Sequence, residues 1–182
     1  MVAAWGFGEA ILVPLVPDLL LLPLVAAAPR RAARLMGWTL LGALLGSLVL
    51  SAITLSDPAA GRGIVLGVPG IRPDTIESAE VAVAGGDPLS MVHLGPGTPL
   101  KVYTVAWWAG EEATGTPIGY VAGVVANRLV RIGTAVVLFA LIGLLAPGWI
   151  RRHERRALAA YVVFWLGVAW LASQIEGAPR IV

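Results

Sequence analysis

The sequence predicts an all-α integral membrane protein with three full transmembrane helices and two broken, re-entrant helical hairpins. Three observations carry that prediction. Of the 182 residues, 58% are hydrophobic and 13% are charged, about half the charged share of a soluble domain. Uncharged runs long enough to cross a bilayer recur along the chain. Between them lie apolar stretches that are broken by proline and carry ionisable residues. So few charges cannot cover a soluble globule, which excludes an ordinary water-soluble enzyme, a disordered chain and a nucleic-acid binder. The chain has no cysteine and two histidines. A disulfide framework, a zinc–thiolate centre and an iron–sulfur cluster are therefore excluded, and no metal or cofactor is expected.

Residues 2–28 form the first re-entrant element. They are apolar, but Glu9, Asp18, Pro14, Pro17 and Pro23 interrupt them. A mid-helix proline removes a backbone hydrogen bond and costs roughly 3 kcal/mol. Three of them argue for a broken helix, which membranes tolerate where protein or water covers the backbone. No basic residue precedes the apolar run, so a signal peptide is not expected. The run 35–55 has 21 residues without charge and reads as the first full span, about 31 Å long. Residues 56–88 read as an outer loop, with five acids against two bases over Ser56–Ser90. There Asp74 and Glu77 resemble a capping box opening a short helix through about Ala84. Gly85 and Gly86 would end it. A β-hairpin from Ile64–Val68 and Val81–Val83 is a weaker alternative.

Residues 89–112 read as the second re-entrant element, broken at Gly95-Pro96-Gly97-Thr98-Pro99 and ending at Glu111-Glu112. A helix over 117–131, with Pro117 in its first turn, leads into a second span at 132–150. A third span covers 157–174. All of this forms one transmembrane domain. Arg30, Arg31 and Arg34 make one basic cluster, and Arg151, Arg152, Arg155 and Arg156 make another. Both should face the cytoplasm, which implies a multi-pass protein of the plasma (inner) membrane. Gly42-x-x-x-Gly46 and Gly119-x-x-x-Gly123 are small-residue stripes for close helix packing, internal or between copies in a homo-oligomer.

An ionisable residue at membrane depth is a functional candidate by default. Glu9, Asp18, Lys101, Glu111, Arg128 and Arg131 meet that description, with three acids against three bases. Glu9 and Asp18 could share one cavity across a hairpin turn and act as proton carriers. Arg128 and Arg131 share a helix face and could bind phosphate or pair with the acids. Lys101 follows a broken Pro-Gly loop, whose exposed N–H groups suit an anion. His93 is a titratable group near that loop. No nucleophile elbow, phosphate-binding loop or His-Glu-x-x-His occurs. Glu111-Glu112 lacks the arginine and histidines of an intramembrane protease, so no enzyme is expected.

Three stretches together resemble the DedA family (SNARE-associated or VTT-domain membrane proteins), in its short DedA-like branch. Phe7-Gly8-Glu9-Ala10 through Pro14, Pro17 and Asp18 is similar to that family's F-x-E…P…P segment. Gly61-Arg62-Gly63, with Gly67 beyond, is similar to its G-R-x-x-G step. Gly95-Pro96-Gly97-Thr98-Pro99-Leu100-Lys101, closing at Ala109-Gly110, is similar to its R-F-x-P-G-x-R…A-G loop. The resemblance implies two re-entrant hairpins, with acids in one and bases in the other, and transbilayer movement of lipids. It makes Glu9 and Asp18 the acidic pair and Lys101 the second loop base. His93 stands roughly where the first loop arginine is usual. The expected function is a transporter or flippase for an anionic lipid or small anion, with proton coupling as an option and membrane lipids as partners. The alternative is a structural or adaptor membrane protein whose buried ion cluster specifies the fold.

Overall fold

A computed structural model of the chain describes residues 2–11, 18–93, 98–110 and 115–153, with scattered positions through 167. The described residues are all-helical, without strands. The helices are α1 (Val2–Ile11), α2 (Asp18–Ala27), α3 (Ala32–Ser56), α4 (Pro58–Leu66), α5 (Pro73–Val83), α6 (Ser90–His93), α7 (Leu100–Ala109), α8 (Pro117–Arg128), α9 (Thr134–Leu145) and α10 (Pro147–Arg152). A 3₁₀ turn at Pro29–Arg31 leads into α3, and a π-helical turn at Leu129–Gly133 joins α8 to α9.

Two helical stretches are long and apolar enough to cross a membrane: Pro29–Ser56, of 28 residues, and Pro117–Leu145, of 29 residues. The second expected span ends at Leu145, five residues short of 150. Pro147 causes this. A residue before proline is pushed out of the helical region, and Ala146 sits at φ −126° and ψ 46°. Pro147 then opens α10, a position that suits its missing N–H. Most of 157–174, the third expected span, lies outside the described residues.

Within the first 28 residues, the described residues form the two helices α1 and α2. Pro14 and Pro17 lie outside the described residues, and Pro23 sits inside α2. Small residues seat α1 on the middle of α3. The Ala3 backbone lies against Gly42, Thr39 and Ala43 against Gly6, and Phe7 and Ala10 against Gly46. Position numbers rise together along both helices, so α1 runs parallel to α3. A Cβ at Gly46 would fall 2.6 Å from the Phe7 carbonyl oxygen, so the stripe Gly42-x-x-x-Gly46 lets two backbones touch. Gly119 and Gly123 are also used internally: Gly119 faces Trp107, and Gly123 faces Met91 and the Pro88 carbonyl.

The loop expectations need two corrections. Ile64 and Val65 lie in α4 and Val81–Val83 lie in α5, so the β-hairpin does not form. Asp74 is not the cap of α5. Pro73 occupies the first helical position and makes Arg72 the capping residue, whose side chain forms no cap hydrogen bond. Arg72 pairs with Asp74 instead. Gly86, at φ 66°, follows the end of α5, as the glycine pair suggested.

Two apolar cores result. One gathers Leu50 of α3, Val65, Ile76, Tyr103, Trp107, Tyr120 and Val124, drawn from α3, α4, α5, α7 and α8. The other holds Leu21, Leu22 and Val25 of α2 with Met36, Ile132 and Val136. The π turn lies where α8–α9 passes from the first core to the second.

Candidate functional site

The two half-length helices meet midway along the two long ones. α1 lies beside the middle of α3, over Thr39–Gly46. α7 lies beside the following part, because Trp108 Nε1 donates to Ser51 Oγ at 2.9 Å and Tyr120 links Thr104 to the Ser47 carbonyl. Each is ten residues long, about 15 Å or half a hydrocarbon core. α7 is buried from Leu100 through Trp107, which explains why a short helix holding a lysine persists there.

Glu9, Lys101 and Arg128 converge at this junction. Glu9 is carried near the end of α1, Lys101 at the second position of α7, and Arg128 at the end of α8. Their residual exposures are 6%, 1% and 1%. Arg128 Nη2 donates to Glu9 Oε2 in a buried ion pair that joins residues 119 apart in sequence. Glu9 attracts the Lys101 ammonium and Arg128 repels it. Glu9 is one acid against two bases, so these three side chains carry a net charge of +1.

The electrostatics leave donors unused. Arg128 Nε and Nη1 are buried and have no hydrogen-bond partner among the described residues. An unsatisfied buried donor is costly, more so on a charged group. Arg131, within the π turn, donates from Nη1 to the Thr98 carbonyl at 3.2 Å and so ties the helix to the start of α7. Asn127 Nδ2 donates to the Met91 carbonyl at 2.7 Å. The N-terminal end of α7, where helix N–H groups point outward, also faces this junction.

The other expected site residues fall as follows. Asp18 opens α2 and His93 ends α6; their side chains lie outside what is described, as does Glu111. Arg62 is elsewhere: it pairs with Glu80 of α5, and both are partly exposed. A pair of that kind contributes about 0–1 kcal/mol. Among the described residues no group of three His, Asp or Glu could hold a metal ion.

Sequence reasoning missed a hydroxyl network beside the junction. Thr104 Oγ1 and Tyr120 OH lie 2.9 Å apart, and Ser51 Oγ donates to the Ser47 carbonyl at 2.7 Å. The available signal was the spacing of Ser47, Ser51 and Thr54, all buried on one face of α3.

No family model matches the chain, and no curated protein or solved structure matches it.

Proposed function

We propose that the chain is a multi-pass transporter of the plasma (inner) membrane, of DedA-like type, that moves an anionic lipid or small anion across the bilayer. The observation that carries this reading is Arg128. It is fully buried, neutralised on one side by Glu9, and holds two donors without partners among the described residues. An oxyanion is the chemistry that such a group takes. Lys101 and the start of α7 add positive potential at the same point. Glu9 competes with the anion for the Arg128 guanidinium. Protonation of Glu9 removes that competition, which provides a link to protons. Two half-helices whose ends meet inside the bundle suit the broken-helix logic of secondary transporters.

A membrane setting is supported by exposure. Most of the apolar helix Pro117–Leu145 is not buried inside the protein, and Val137, Leu138, Leu141, Leu144 and Leu145 are exposed. Water would penalise such a wall and lipid would not. The basic clusters at residues 30–34 and 151–156 then face the cytoplasm. The direct test is phosphate binding to the purified protein. Wild type is expected to bind inorganic phosphate or a short-chain phosphatidic acid, and Arg128→Gln to bind neither. Equal binding by both proteins would refute the site.

One observation favours the rival reading. The Glu9–Arg128 pair already neutralises one charge with another, as a fold-specifying ion cluster would. Under that reading Glu9→Arg with Arg128→Glu restores both folding and every measurable property. Under the transporter reading the exchange restores folding and leaves anion movement absent.

A further inference from the structure

We propose that the arginine-rich end of the molecule is a docking surface for the headgroups of anionic phospholipids, separate from the buried cluster. The inference rests on the membrane placement above and not on the anion site. Two basic segments about 120 residues apart in sequence come together at this end. Ala26 packs against Gly143; Ala26 lies one turn before Arg30, and Gly143 lies near the end of α9, just before the α10 helix that carries Arg151 and Arg152. α10 packs against both α2 and α9, and the Pro29–Arg31 turn packs against α9. Arg30 and Arg31 therefore lie at the same end as Arg152. Arg30, Arg31, Arg34, Arg152 and Arg156 are exposed, and among the described residues none of them forms an ion pair with an acid.

The described acids lie elsewhere. Glu9 is in the buried cluster, Asp18 is at the opposite end of α2, and Asp57, Asp74, Glu77, Glu80 and Asp87 belong to α4, α5 and their flanking loops. The basic segments hold seven arginines and one acid, Glu154, a net charge of +6. A merely solvated basic surface would need no apolar border, but this one has such a border. Trp38 follows Arg34 by one turn on the same face of α3 and is 48% exposed, and Leu41 and Leu45 continue that exposed face. An indole placed between guanidinium groups and an apolar wall marks headgroup depth. Guanidinium groups there reach phosphodiester oxygens in fork geometry. Phosphatidylglycerol keeps its full negative charge, whereas the choline of phosphatidylcholine opposes the arginines.

Trp38 supplies the reporter. The full chain is placed in bilayers containing brominated phosphatidylglycerol or brominated phosphatidylcholine at equal mole fraction. Quenching of Trp38 is isolated by subtracting the Trp38→Phe protein. Brominated phosphatidylglycerol is expected to be enriched about fivefold around Trp38, corresponding to one arginine–headgroup contact at about 1 kcal/mol, and high salt is expected to erase the enrichment. The triple variant R30Q/R31Q/R34Q, altered only at exposed side chains, should lose the preference. R152Q/R156Q should reduce it, and R128Q should leave it unchanged. Equal quenching by the two lipids, or an unaltered preference in the triple variant, would overturn the proposal. Loss of preference in R128Q would move the headgroup to the buried cluster and overturn it as well. Absence of quenching by either lipid would refute the membrane placement, and this proposal with it.

Discussion

Glu9→Gln separates electrostatics from shape at the centre of the molecule. Glutamine keeps the size of the side chain and removes its charge. The three side chains then pass from a net charge of +1 to +2, with Arg128 and Lys101 each 1% exposed. Breaking a buried pair by removing one partner costs about 3–5 kcal/mol, because the remaining charge stays buried. Arg128→Gln removes the other partner and leaves Glu9 facing Lys101, a loss expected to be smaller because one cation still balances the carboxylate. The double variant leaves Lys101 alone. A double-mutant cycle should give a coupling of about 2–3 kcal/mol, within the range for residues in direct contact. The assay is reversible unfolding in mixed micelles, followed by tryptophan fluorescence. A coupling below about 0.5 kcal/mol, the error expected for independent sites, would refute the claim that the pair is desolvated.

Other expectations follow from single contacts. Gly46→Val should destabilise by about 1–3 kcal/mol through overpacking, because its Cβ would fall 2.8 Å from Ala10 Cβ. Gly63→Ala, with nothing within 4 Å, should stabilise α4 by up to about 1 kcal/mol; thermal denaturation of the two proteins checks the contrast. Tyr120→Phe removes the hydroxyl between Thr104 and Ser47 and should cost about 1 kcal/mol, read in the same melts.

The long helices were legible because uncharged runs of spanning length have few other fates. The balance of acids and bases hinted at a buried cluster, while the break expected at Pro14 and Pro17 lies outside the described residues. Pairing of Arg128 or Arg131 with Glu9 or Asp18 was legible as one option, and the structure selects Arg128 for Glu9 because that choice depends on α1 and α8 meeting across three-dimensional space. Local signals misled where two of them competed. Asp74-x-x-Glu77 has capping-box spacing, yet Pro73 fixes the helix start two residues earlier, with Arg72 at the cap. The alternating valines of Val81–Val83 suit a strand, yet the helix begun at Pro73 runs through them and buries Ile76, Ala79 and Val83 on one face. The π turn has no sequence signature; it arises where one helix must serve two cores.

The most direct test of the central claim is transbilayer movement of a fluorescent anionic phospholipid in proteoliposomes, with and without a pH gradient. The wild-type protein is expected to move the lipid at a rate that responds to the gradient. Arg128→Gln should abolish movement, and Glu9→Gln should abolish the response to pH while the protein remains inserted. Movement unchanged in Arg128→Gln, or absent from correctly inserted wild type under every gradient, would contradict the account.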